Sequence, residues 1–107
     1  SLDLSAFQQK MMMAYSPYPH PKDTHGYASF GHLSGYSSAY YTYQWSLVLA
    51  KDIFTRFDRE GLLSPSTAAD YRRTVLMPGG SKDAAELVRD FLGRDSRLDA
   101  YKAWLER

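Results

Sequence analysis

No cysteine occurs anywhere in this chain, which excludes a disulfide framework, a thiolate zinc finger and a thiol nucleophile. No apolar run approaches the ~20 residues that a membrane-spanning helix needs, and no signal-peptide pattern opens the sequence. Charge of one sign is also lacking. Thirteen Lys and Arg against twelve Asp and Glu leave a formal net charge of +1, far from the basic excess of a general nucleic-acid binder. Alternation of apolar and polar residues is absent, so no strand is expected. The recognised catalytic patterns are missing as well: there is no His-Glu-x-x-His zinc site, no phosphate-cradling glycine loop and no nucleophile elbow. With 107 residues the chain makes one domain at most. It is expected to be all-α, with neither nucleic acid nor membrane as a partner.

The helices announce themselves by period and punctuation. Leu4, Phe7, Met11 and Ala14 recur on one side of a helix that runs from about Leu4 to Tyr15 in a first segment over 1–15, with no clear cap before it. The Met11-Met12-Met13 run is apolar on more than one side, as in a helix with neighbours on several faces. Pro17, Pro19 and Pro21 each remove a backbone donor and push the preceding residue toward extended geometry. Residues 16–35 therefore form a Pro/Gly-rich loop, with His20 and His25 as exposed loop histidines. Helices fill 36–107, the longest running from about Ser37 to Glu60. Its first face carries Tyr36, Tyr40, Tyr43, Leu47, Ala50 and Phe54, and an adjoining stripe carries Trp45, Leu49, Ile53 and Phe57. Gly61 is a natural stop. Ser64-Pro65 starts the next helix, which runs to about Leu76 before Pro78-Gly79-Gly80. Asp83 caps another, with Leu87, Val88 and Phe91 inward and Gly93 as its end. A last helix begins near Arg97 behind a Ser96 cap, with Leu98, Tyr101 and Leu105 inward.

The unusual stretch is Ser29 to Trp45, which holds four of the nine tyrosines where a core would place aliphatic residues. Gly31 and Gly35 bracket His32, and glycine permits backbone conformations that other residues resist. A phenol donates a hydrogen bond without bringing a full charge, and an imidazole does the same or adds charge when protonated. Donors of this kind suit a carbonyl oxygen that becomes an oxyanion, although they cannot generate a nucleophile. The competing interpretation is that these are half-buried aromatics packing helices together with their hydroxyls in water.

Phe30-Gly-His-Leu-Ser-Gly-Tyr36, followed by Ala39-Tyr-Tyr-Thr-Tyr-Gln-Trp45, resembles the C-terminal motif of the thimet oligopeptidase family. These zinc metallopeptidases include neurolysin, oligopeptidase A and peptidyl-dipeptidase. The family pattern is Phe-x-His, a glycine-rich turn, then Tyr-x-x-x-Tyr-Tyr-x-Tyr-x-Trp. Leu62-Leu63 and Gly79-Gly80-Ser81-Lys82-Asp83 resemble the family's closing region, so the similarity covers the chain from Ser16 onward. The resemblance implies a C-terminal helical segment of a larger, mostly helical zinc peptidase that hydrolyses short peptides. Zn2+ in such a parent is held by His-Glu-x-x-His and a downstream Glu, both outside this chain.

Carried onto this sequence, the resemblance places His32 near the scissile bond of a bound peptide. Tyr36 and Tyr43 would hydrogen-bond the substrate and the developing oxyanion. Tyr40 would line the same site, and Gly31 and Gly35 would let the turn close over substrate. One departure stands out: many members have at least one further glycine between histidine and first tyrosine, whereas only Leu33-Ser34-Gly35 intervenes here. Tyr36, Tyr40 and Tyr43 therefore carry over more safely than His32, and the turn is expected to be less mobile. By itself the fragment is expected to bind no metal, to cleave nothing and to self-associate through exposed apolar surface. Its partners are short peptides and the missing N-terminal part of the same protein, in the cytoplasm. The alternative is a free-standing, non-catalytic helical module for peptide binding or structure.

Overall fold

The structure, a computed structural model, describes residues 2–106. Helices joined by turns and irregular segments make up the described residues, with no strand among them, so the chain is all-α as its sequence leads one to expect. It divides into two compact units, Ser1–Tyr40 and Tyr41–Arg107.

In the first unit, α1 spans Leu4–Tyr15, matching the periodicity, but its start is capped after all. The Asp3 carboxylate accepts from the Ser5 and Ala6 backbone N–H groups at 3.0 and 3.1 Å, satisfying two donors that the first turn leaves orphaned. None of the α1 residues is buried, and Leu4, Phe7, Met12 and Met13 are all exposed. The proline-rich connector is irregular, and Asp23 turns it with φ +55. The chain then returns to α1 through a 3-10 turn over Gly26–Ser29. Ser5 Oγ lies 3.0 Å from His25 Nδ1, and Gln8 Oε1 accepts from the Tyr27 N–H at 3.3 Å. His25 is exposed as expected, whereas His20 is half-buried, with Nε2 3.0 Å from the Thr24 hydroxyl. A short α2 over His32–Gly35 follows.

The second unit is built on α3, Thr42–Glu60, about 28 Å long at 1.5 Å per residue. It starts five residues later than the tyrosine spacing implies. The line it buries is also not the one its apolar spacing marks. Val48 and Asp52 are buried, while Trp45 and Phe54 stay 54% and 49% exposed. Gly61 ends the helix at φ +102, a region that side-chain-bearing residues avoid.

Ser64 caps α4 (Pro65–Tyr71), its hydroxyl accepting from the Thr67 N–H at 3.4 Å. The helix widens into a π turn over Arg72–Leu76, where the Met77 N–H reaches the Arg72 carbonyl at 2.9 Å. After a 3-10 turn at Gly79–Ser81, α5 covers Ala84–Leu92 with Asp83 accepting from the Ala85 N–H at 2.8 Å. Val88 and Phe91 of α5 are buried as expected. The last helix, α6, spans Asp99–Leu105 and begins two residues later than the Ser96 cap implied. Leu98 stands at its cap position without a side-chain hydrogen bond. Tyr101 is half-buried, whereas Leu98 and Leu105 are exposed, so of the three expected inward only Tyr101 is covered even in part.

A three-ring cluster holds α3, α4 and α5 together. Phe57, Tyr71 and Phe91 lie with centroids 5.4–5.7 Å apart, and Arg56 lies over the Phe91 ring at 4.7 Å. The Arg56 guanidinium also donates to the Phe91 carbonyl and to Asp70, both at 2.7 Å, and to Glu60 at 2.9 Å. One side chain therefore ties three helices. Glu60 in turn accepts from the Thr67 hydroxyl at 2.8 Å. That hydroxyl, aided by Arg56 and Arg59 and opposed by partial burial, holds the Glu60 carboxyl below the ordinary carboxylate range.

Gly93 closes α5 in the left-handed region, at φ +70 and ψ +13. A Cβ built there meets nothing within 4 Å, so replacement costs conformational energy alone. Gly93→Ala is expected to destabilise the chain by about 1 kcal/mol, read as a lower thermal midpoint. An unchanged midpoint would show that the residue is not held in that conformation.

Candidate functional site

His32, Tyr36 and Tyr40 come together in the first unit, and what gathers them is a turn rather than a helix face. Gly31 precedes α2 with ordinary helical angles, φ −59 and ψ −21. His32 opens the single turn, and Gly35 closes it with Tyr36 as the following residue. The Tyr36 N–H donates to the His32 carbonyl at 2.8 Å, and the Ser37 hydroxyl to the Leu33 carbonyl at 2.9 Å. Ser38 then adopts φ +57, which an L-residue reaches only at a cost. That one residue breaks the helix that the spacing of Tyr36, Tyr40 and Tyr43 implied.

The His32–Tyr40 and Phe30–Tyr40 pairs pack edge to face, at 69° and 80°, while Phe30–His32 and His32–Tyr36 are tilted. The His32 imidazole lies 5.6 Å from Tyr36, 5.1 Å from Tyr40 and 5.3 Å from Phe30, and Phe30 meets Tyr40 at 5.0 Å and 80°. Edge-to-face contacts favour the positive ring edge over the negative face of its neighbour. Phe30 thus serves as the apolar prop of the cluster, a role that its place in the motif did not reveal. Tyr36 and Tyr40 are 45% and 49% exposed, so their polar ends are not sealed in a core. Neither Gly31 nor Gly35 has a positive φ, and a Cβ built on either meets nothing within 4 Å. What the glycines leave is open space beside the backbone, not an unusual conformation. Tyr43 belongs to the second unit, in the first turn of α3, and is likewise half-exposed.

Residues 24–50 contain no Asp, Glu, Lys or Arg. The donors of this stretch are therefore phenols, imidazoles, hydroxyls and backbone amides. Among the described residues no three His, Asp or Glu side chains come together as metal ligands, so the donor set present does not fit a metal. What the cluster can do is donate hydrogen bonds to carbonyl oxygens on a chain lying against it.

The sequence profile of peptidase family M3 matches residues 2–106. The chain belongs to peptidase family M3. Oligopeptidase A of Haemophilus influenzae is 40% identical to this family M3 chain over 74 residues, covering 67% of the chain and 11% of that protein. A thimet-like oligopeptidase of Dictyostelium discoideum is 40% identical over 76 residues, 70% of the chain and 11% of its own length. The mitochondrial intermediate peptidase of Arabidopsis thaliana is 31% identical over 93 residues, 87% of the chain and 13% of that protein. This M3 chain thus spans about a tenth of the length of the relatives it matches. Among its described residues no helix is long and apolar enough to cross a membrane.

Proposed function

We propose that this chain is the C-terminal, substrate-binding part of a zinc-dependent oligopeptidase of family M3 that hydrolyses short peptides. The family match across residues 2–106 carries this proposal. His32 and Tyr40 bind the peptide backbone, Tyr36 and Tyr43 donate to the substrate and to the oxyanion formed during hydrolysis, and Gly35 leaves room for close approach. An uncharged stretch of donors supports these roles. A phenol strengthens its hydrogen bond as the carbonyl oxygen gains charge, and so favours the transition state over the ground state.

Zinc in the whole peptidase supplies an activated water, held by ligands that lie outside this chain. The residues here bind and orient substrate. Exposed apolar side chains on α1 and α3 support a second element of the proposal, that the rest of the peptidase covers them and that the isolated chain self-associates. A cytoplasmic location, compatible with the lack of cysteine, completes it.

The decisive experiment expresses the full-length polypeptide and this chain separately and assays both on short peptides. The full-length protein is expected to cleave them, to lose activity to a chelator and to regain it with zinc. The chain alone is expected to do neither binding of zinc nor cleavage. Zinc-dependent hydrolysis by the chain alone, or a full-length protein lacking a His-Glu-x-x-His sequence, would overturn the proposal.

A further inference from the structure

The segment that carries His32 and Tyr36 closes on itself. Phe30 at one end and Tyr40 at the other meet with ring centroids 5.0 Å apart at 80°. Ser38 reverses the chain after Tyr36 with its φ of +57, and the Ala39 N–H donates to the Tyr36 carbonyl at 2.9 Å. The Leu33 N–H donates to the Phe30 carbonyl at 3.1 Å, and the Ser34 and Tyr36 N–H groups reach the Gly31 and His32 carbonyls at 3.0 and 2.8 Å. Each of these bonds links near neighbours in the chain. The Phe30–Tyr40 pair spans the whole segment.

The His32 ring completes a triangle, 5.3 Å from Phe30 and 5.1 Å from Tyr40. Two corners of that triangle carry the polar atoms assigned to peptide binding. Phe30 has neither donor nor acceptor on its side chain, so its part is packing alone. Aromatic pairs prefer particular relative orientations, which makes this packing directional. An aliphatic side chain fills the same space without setting the angle of its neighbours.

We infer that Phe30 is a positioning residue for the peptidase reaction. Its ring clasps Tyr40 across the turn and lies against His32, and so aims both at a bound peptide. This rests on the reading that His32 and Tyr40 bind the peptide backbone. Rings that lose their orientation bind the peptide less well in ground and transition state alike, so the loss falls on KM.

The test uses the full-length peptidase with zinc bound, assayed on short peptides. Phe30→Leu keeps an apolar side chain without a ring and is expected to raise KM by about tenfold, the scale of losing two directed aromatic contacts. Turnover depends on the oxyanion donors Tyr36 and Tyr43, so kcat should stay within about twofold, the pattern of lost uniform binding. Phe30→Tyr keeps the ring and should leave KM within about twofold of wild type. Combining His32→Phe with Tyr40→Phe keeps all three rings and removes the polar atoms. That double variant should itself raise KM, and adding Phe30→Leu to it should raise KM no further.

A further rise in that background would show that Phe30 touches the peptide itself or acts on the fold at large, and would overturn the inference. So would an unchanged KM in Phe30→Leu, including the case where kcat falls with the thermal midpoint, the mark of a merely structural ring. Equal rises in KM for Phe30→Tyr and Phe30→Leu would overturn it as well. If the variant with His32→Phe and Tyr40→Phe has the wild-type KM, the assignment of those two residues to peptide binding fails first, and the inference falls with it.

Discussion

Tyr43→Phe in the full-length peptidase is expected to lower kcat by about 10²–10³-fold, the usual consequence of removing one donor to an oxyanion. The change deletes a single oxygen. Tyr43 is about half exposed in this chain, so loss of its hydroxyl leaves no buried cavity to destabilise the fold. KM should move little, because the hydrogen bond strengthens only as the carbonyl oxygen gains charge. A thermal midpoint close to wild type, measured on the same preparation, separates this loss of transition-state stabilisation from unfolding. Tyr36→Phe is expected to act in the same direction. The two losses should not add if both phenols serve one oxyanion, since groups that act as a unit are non-additive. Unchanged turnover in Tyr43→Phe would remove that residue from the mechanism.

How the chain announced this in advance differs from element to element. The period of Leu4, Phe7 and Met11 gave α1 its true limits, and the alternating prolines marked the connector, because both signals are local. The Asp3 cap is equally local, an acceptor one place before the first periodic apolar residue, and it corrects the expectation of an uncapped start. The Tyr36–Tyr43 stretch misled for a physical reason. Steps of four and three residues arise equally from a helix and from a one-turn helix followed by a tight turn. Only the positive φ at Ser38 decides between them, and serine carries no strong signal for that conformation.

The core of the second unit was hidden for another reason. Apolar spacing assigns α3's buried line to large side chains, yet Asp52 is 1% exposed because Arg94, forty-two positions away, supplies its partner. A charge on a helix reads as solvated until its long-range partner is known. The motif residues, by contrast, were legible as a group: His32, Tyr36 and Tyr40 do meet, with Phe30 among them, although by a turn and not along a shared helix face.

The largest effect on stability is expected at that hidden pair. Burial alone pushes the Asp52 carboxyl up. The Arg94 guanidinium, the Arg97 N–H and the charges of both arginines outweigh burial and hold it below its ordinary value. A carboxyl with a depressed folded pKa contributes stability that is fully present above its unfolded value of about 3.9 and is lost as pH falls through the lower folded value. The pair is lopsided: the Asp52 side chain is 2% exposed and that of Arg94 is 30% exposed. Removing Asp52 lets Arg94 turn to water, whereas removing Arg94 leaves a carboxylate buried with the Arg97 amide as its remaining partner. Arg94→Met is therefore expected to cost about 3–5 kcal/mol at neutral pH, the range for orphaning one member of a buried pair, and more than Asp52→Asn. The deficit of Arg94→Met should shrink as pH falls toward 3, because its unpaired carboxyl is pushed up and takes a proton more readily in the folded state. Thermal midpoints of wild type and both variants between pH 3 and pH 7 measure this directly. A deficit independent of pH would show that Arg94 acts through packing alone. A larger loss in Asp52→Asn than in Arg94→Met would show that the buried carboxylate is not the member that needs its partner.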